Sequence, residues 1–274
     1  MILFQAWLLA LYGLYKSIAC FVELIAKEIM SSLQVFVDKK LLFDPTEIVI
    51  AGFDANEFSE WKNLKGDGLV IENASILQKV EIDGRYIGEK LRTISFMNCP
   101  NLEEIKFIHH ELVAVTIKGC PRLHDVNFYN NRLSDLDGLL GQLDPEIVAS
   151  IWLVGNQFKA ILEPFVKFTE IVYLGVSENR FYGSLEPLQK LRKLSYFMFE
   201  KTDIDSGLEY LDIDPCDVCC GYDEDERYKV VTIQRALNKY GQFDNQELNK
   251  KEEKKRFNHS RNLIKWREEH VKAV

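Results

Sequence analysis

The chain has 274 residues, 47% of them hydrophobic and 12% aromatic, which is enough apolar side chain for a sizeable core and excludes a wholly disordered polypeptide. Its 42 acidic and 34 basic residues leave a net charge of -8, a field that repels nucleic acid over most of the surface. The charge is uneven: residues 1–216 hold 31 acidic and 21 basic groups, whereas residues 217–274 hold 11 and 13.

Residues 1–15, MILFQAWLLALYGLY, are apolar apart from Gln5, and Lys16 ends the run. Fifteen residues fall short of the roughly twenty that span a bilayer, and no basic stretch precedes them as a signal peptide would want. Leu11, Leu14, Ile18, Val22, Ile25 and Ile29 recur at steps of three and four, which places them on one helical face. The expectation is an amphipathic helical segment over residues 1–40 that caps the open end of a core, in a cytoplasmic protein. Two alternatives stay open: a secretory segment, or a membrane-surface helix through residues 1–30. Membrane contact is not the favoured reading. Asn73-Ala74-Ser75 and Asn258-His259-Ser260 would accept glycans only in the secretory pathway.

Residues 91–111, LRTISFMNCPNLEEIKFIHHE, and 112–132, LVAVTIKGCPRLHDVNFYNNR, align at a fixed offset. Leu91 falls on Leu112, Ile94 on Val115, Phe96 on Ile117 and Cys99-Pro100 on Cys120-Pro121; Leu102, Ile105 and Phe107 fall on Leu123, Val126 and Phe128. A repeat architecture follows. Each unit ends in L-x-x-L-x-L, two further residues, then Asn or another polar group. The last residues of the motif alternate as a short strand, and the Asn amide satisfies backbone groups where the chain turns away. The register continues through Val148, Ile151, Leu153 and Asn156, through Ile171, Leu174, Val176 and Asn179, and through Leu194, Phe197, Phe199 and Thr202. Leu77, Val80 and Ile82 form an earlier rung; Leu208, Leu211 and Ile213 read as a weak last turn. Repeated burial at one register position is the expected role of Cys99 and Cys120.

These motifs resemble leucine-rich repeat proteins. The wording NCPNL at 98–102, NNRL at 130–133 and NRFYGSLEPLQKLRKL onward from 179 is similar to the large leucine-rich repeat families of arbuscular mycorrhizal fungi. The resemblance implies a curved leucine-rich repeat solenoid; the expected fold is an α/β solenoid with one parallel sheet and short or irregular connections on its back, an N-terminal capping helix, which is unusual for that family but covers the apolar end of the first repeat, and a helical C-terminal tail. The resemblance also implies a curved scaffold that binds a partner. The expected organisation is residues 1–40 as the N-terminal helical segment, 41–216 as the solenoid and 217–274 as a charged helical tail.

Solvent-facing strand positions should stack into columns along a concave face. The centre column reads Lys106, Asn127, Trp152, Gly175, Met198; the one before it reads Glu104, Asp125, Ser150, Tyr173, Tyr196; the one after it reads Ile108, Tyr129, Val154, Ser177, Glu200. The first rungs are polar and acidic, and the surface turns aromatic from Trp152 onward. Rigid aromatics are over-represented at binding hot spots. Tyr129, Trp152, Tyr173, Tyr196 and Met198 are therefore the candidate site for a protein or peptide partner; a tail folded back over them is the competing reading.

Cys216, Cys219 and Cys220 have a C-x-x-C spacing compatible with zinc, but no second pair follows, and 214–226 reads as an acidic linker ahead of helices at 228–240 and 246–272. Between 250 and 272 there are nine basic and four acidic groups; the interspersed acids favour a solvated helix over nucleic acid. His109, His110 and His124 near Glu103, Glu104 and Asp125 raise metal or acid–base chemistry, yet no phosphate loop, nucleophile elbow or H-E-x-x-H motif is present. The expected class is a non-enzymatic protein-interaction module without a cofactor; the alternative is a secreted or membrane-tethered recognition protein using the same face.

Overall fold

The computed structural model describes residues 47–50, 68–86, 90–211, 217–221, 224–239 and 260–271; the helix expected over residues 1–40 lies outside them. In chain order the strands are β1 (Glu47–Ile50), β2 (Gly68–Glu72), β3 (Lys79–Asp83), β4 (Thr93–Met97), β5 (Glu104–Ile108), β6 (Ala114–Lys118), β7 (Asp125–Asn127), β8 (Ser150–Trp152), β9 (Tyr173–Gly175), β10 (Tyr182–Ser184), β11 (Tyr196–Met198), β12 (Asp203–Ser206) and β13 (Asp217–Cys219). Eight of them form one sheet in the order β1-β3-β5-β7-β8-β9-β11-β13, and every neighbouring pair is parallel. This is a leucine-rich-repeat-like solenoid.

The single sheet expected from the sequence is corrected to three. β2, β4 and β6 make a second parallel sheet across the core, and β10 and β12 pair on their own. The reason is local. TISFM and AVTIK alternate as β-branched, half-buried strands, with Ile94, Phe96 and Ile117 turned into the core. Phe96 meets Phe107 of the long sheet edge-on at 5.9 Å. Further along, the same side of the core is built from α1 (Leu136–Leu140), capped by Asp135, and from 3-10 turns at Glu163–Phe165 and Glu186–Lys190 that open on Pro. Proline lacks the N–H a ladder needs but suits a first helical turn.

Inward residues of the long sheet stack in two buried rows. Ile105, Val126, Ile151, Leu174, Phe197 and Val218 form one; Phe107, Phe128, Leu153, Val176, Phe199 and Cys220 form the other. The second row shows where the last rung really lies. β13 pairs with β11, so Val218 and Cys220 stand where the preceding rung has Phe197 and Phe199. The reading of 214–226 as a linker is corrected accordingly, and the sheet extends to Cys219.

After each strand the chain turns through a left-handed residue: His109, Asn130, Gly155, Glu178 and Lys201 have φ of 59°, 54°, 69°, 55° and 52°. At Gly155 a Cβ would also stand 2.1 Å from Asn130 Oδ1. The next residue closes the turn from inside. Asn156 Nδ2 donates to Phe128 O at 2.7 Å while its Oδ1 accepts from Leu133 N at 3.0 Å. Asn131 serves Phe107 O and Leu112 N in the same way, and Asn179 serves Leu153 O and Phe158 N. At the first of these positions His110 replaces Asn: Nδ1 accepts from Leu91 N at 3.3 Å and Nε2 lies 3.2 Å from Ile82 O. An amide N–H at Nδ1 puts the ring proton on Nε2, a neutral tautomer. Burial lowers the His110 pKa to about 4.

The tail forms α2 (Val231–Asn238) and α3 (Ser260–His270); residues 240–259, part of the stretches read as helical, lie outside the described residues. α2 lies beyond the last rung, where Gln234 Nε2 donates to Cys220 O at 2.6 Å. Leu263 of α3 is fully buried, and the Arg267 guanidinium donates to Leu211 O.

Candidate functional site

The strand registers align the outward columns as the repeat spacing predicts. Glu104, Asp125, Ser150, Tyr173, Tyr196 and Asp217 stand in one line, and Lys106, Asn127, Trp152, Gly175, Met198 and Cys219 in the next. The two ends of this face differ chemically. At the N-terminal end Lys79 Nζ lies 3.0 Å from Glu104 and 3.3 Å from Glu81, and Lys106 Nζ lies 2.6 Å from Glu81. Charges there are matched across neighbouring strands, the pairing that favours a sheet.

From β8 onward the face is organised around the Trp152 indole. Its Nε1 donates to Ser150 Oγ at 3.0 Å, and the Ser150 hydroxyl in turn donates to the Asp125 carboxylate. Burial, reinforced by repulsion from Glu104, holds Asp125 above the usual carboxylate range, while the Ser150 hydrogen bond opposes the shift. The relay fixes the ring's orientation. On its other side the indole leans over Gly175, where a Cβ would meet Trp152 Cε3 at 2.6 Å. Any other residue at 175 would push the ring away. Across that slot Trp152 reaches Tyr196, centroid to centroid 5.7 Å with planes 40° apart, although β9 lies between their strands.

Tyr173, on β9, is 47% exposed, and Met198 follows Gly175 in the Trp152 column. Trp152, Tyr173, Tyr196 and Met198 thus share one patch. Tyr129 sits elsewhere: its ring packs edge-on against His109 at 5.3 Å. Ser177, the next outward residue after Gly175, is fully buried, and its hydroxyl has no hydrogen-bond partner. Ser150, Asp125 and Gly175 carry the site as much as the aromatics do, and only the column order hinted at them.

The other chemical candidates do not converge. His110 points into the core rather than toward Asp125, and His124 is exposed. Val218 and Cys220 face inward and Cys219, between them, takes the opposite side of the strand, while Cys216, the other member of the C-x-x-C spacing, lies outside the described residues. Among the described residues no group of three or more His, Cys, Asp or Glu is placed to hold a metal ion, and no described helix is long and apolar enough to cross a membrane. Cys99 is fully buried as expected; Cys120 is only half-buried, because β6 is the last strand of its sheet and no further rung stacks on it. A groove of about 670 Å³ opens between α1 and the turn at Glu163–Phe165, away from the aromatic patch.

The fold and this face define a solenoid of the leucine-rich-repeat type. No family model matches the chain, and no curated protein matches it in sequence. Among solved structures it is similar to the LRIM1/APL1C complex (11% identity, TM-score 0.44, 84% of this chain and 54% of that one) and to the LRIM1 leucine-rich repeat domain (11% identity, TM-score 0.41, 77% of each). The chain therefore spans about half the length of the matched chain in the LRIM1/APL1C complex.

Proposed function

We propose that the chain is a non-enzymatic scaffold that binds a protein partner on the outward face of its long sheet, centred on Trp152, Tyr173, Tyr196 and Met198, with Tyr129 at the margin. One observation carries the reading: the Trp152 ring is locked in place by Ser150 and Asp125 and spans an empty slot at Gly175 to reach Tyr196. An aromatic held rigid before binding loses little entropy on contact, as hot-spot residues do. The family we propose is the fungal leucine-rich repeat group, on the wording at 98–102, 130–133 and 179–211.

The test is capture of partners from native extract with wild-type, Trp152→Ala and Glu103→Gln baits, followed by titration of whatever is captured. Trp152→Ala should weaken binding by about 2 kcal/mol or more, roughly thirtyfold. Glu103, which pairs with Arg122 at 2.6 Å near the acidic end, should change mainly the salt dependence. Identical partners and affinities from all three baits would remove the aromatic patch from the account. A cytoplasmic location goes with this proposal; a glycan on the exposed Asn73 of the native protein would replace it with the secreted reading.

A further inference from the structure

We propose that Cys120 is a site of oxidation by hydroperoxides and that Cys99, on the neighbouring rung, resolves the product into a disulfide. The placement comes from the second sheet. β4 and β6 pair in parallel with Met97 opposite Lys118, and the ladder runs one residue further, where Asn98 N donates to Lys118 O at 2.8 Å. Both chains then turn through a left-handed residue, Asn98 at φ 56° and Gly119 at φ 70°. A Cβ on Gly119 would stand 2.9 Å from Asn98 Oδ1, so the two turns are stacked. Cys99 and Cys120 leave them at the same level, each followed by proline. Neighbouring parallel strands run about 4.8 Å apart, inside the roughly 4.4–6.8 Å between Cα atoms that a disulfide bridges. The rung of β2 has Ala74 at this position, so among the described residues the column holds these two thiols alone.

The two sulfurs are not equivalent. Cys99 is fully buried, and its Sγ lies 3.6 Å from Met97 O and 3.9 Å from Ile71 O. Cys120 is half-buried, because no strand of its sheet stacks beyond β6. Its Sγ accepts hydrogen bonds from the Cys99 thiol and the Cys99 backbone N–H. Those donors hold the Cys120 pKa below the ordinary thiol value against the opposing effect of burial, whereas donating that bond, together with burial, holds Cys99 above it. The more open sulfur is thus the readier thiolate, the form that attacks a peroxide. The Cys120 sulfur takes one peroxide oxygen as the O–O bond breaks. The other oxygen collects a proton from solvent and leaves as water, or as an alcohol from an organic hydroperoxide. The Cys99 sulfur, already in contact, then attacks the Cys120 sulfenic acid: the S–S bond forms, the S–O bond breaks, and the hydroxyl departs as water with the Cys99 proton. Two thiols lose two electrons in all, and one peroxide gains them. The bond ties the edge rung of the second sheet to its neighbour, across the core from the aromatic patch.

The test treats the reduced full chain with a slight excess of hydrogen peroxide, folded and, in parallel, unfolded in urea. Each sample is then alkylated, digested without reductant and mapped by mass spectrometry. The folded chain should yield one dominant linked pair, Cys99 with Cys120, lighter by two hydrogens and reopened by a thiol reductant. That selectivity should vanish in urea. In Cys99→Ala, dimedone should capture a sulfenic acid at Cys120 at least about tenfold faster than at Cys219, whose pKa burial holds above the usual thiol value. In Cys120→Ala, Cys99 should stay reduced over the same interval. Melting curves establish that each variant is folded, and the wild-type map decides the pairing without them. Cys120 halted as a sulfenic or sulfinic acid beside a free Cys99, a dominant bridge to another of the six cysteines, the same pairing preference in urea, or equal trapping at Cys219 would each overturn the inference.

Discussion

His110 does in one rung what Asn131, Asn156 and Asn179 do in the next three, but unlike an amide it titrates. Its neutral form is required, because Nδ1 must accept from Leu91 N. The folded pKa is about 4, lowered first by burial, against the ordinary value of 6.5. Between those values the unfolded chain binds a proton that the folded chain refuses, so stability is complete above pH 6.5 and falls as the pH drops toward 4. The full loss is about 3 kcal/mol, of which about 2 kcal/mol is gone by pH 5. Asp125, with its raised pKa, works in the opposite direction, so the wild-type slope alone is not diagnostic. His110→Asn supplies the comparison: it keeps an acceptor and a donor at the position and cannot be protonated. Urea titrations of both proteins at pH 8 and pH 5 should show that the variant loses about 2 kcal/mol less on acidification. Equal losses in the two proteins would refute the assignment of His110 as a buried neutral link.

Asn156→Ala should cost at least about 2 kcal/mol in urea denaturation, because Leu133 N and Phe128 O lose their partner inside the core at roughly 1–3 kcal/mol each; a loss under about 1 kcal/mol would contradict the bridging role. Gly175→Ala should displace the Trp152 ring from its slot, seen as a red shift in tryptophan emission that disappears in a Trp152→Phe background. An unchanged spectrum would mean the indole does not rest on Gly175. Cys120 should react with iodoacetamide far faster than Cys99: it is less buried, and the Cys99 thiol, as hydrogen-bond donor, lowers its pKa while its own is raised. Equal rates of labelling would count against that arrangement.

The columns of the long sheet were legible because two signals coincide. The alternation inside each motif sets which residues face outward, and the recurrence of the motif every 21 to 25 residues at Ile105, Val126, Ile151, Leu174 and Phe197 sets which of them align. Where either signal failed, so did the reading. Cys220 occupies an apolar position of the last rung, and cysteines at a C-x-x-C spacing suggest metal before they suggest a strand. The second sheet was hidden because its strands lie inside the same repeat unit, where Ile94-x-Phe96 and Ile105-x-Phe107 look alike. The slot at Gly175 could not be read at all, since it depends on the direction of an indole two rungs from its contact.

The contact between α2 and the last rung has a consequence for how molecules of this shape coexist. A stack of parallel strands terminates in a row of unused backbone groups, and an uncovered end invites another stack to continue it, molecule upon molecule. Here the Gln234 amide occupies Cys220 O at that boundary, and Leu237 and Ile233 bury against the same core. Chain growth from the C-terminal end is thereby blocked by eight residues of helix. Deleting α2 would both strip Ile233 and Leu237 from the core and open that edge to another copy of the chain, so fibres would accompany the lost stability.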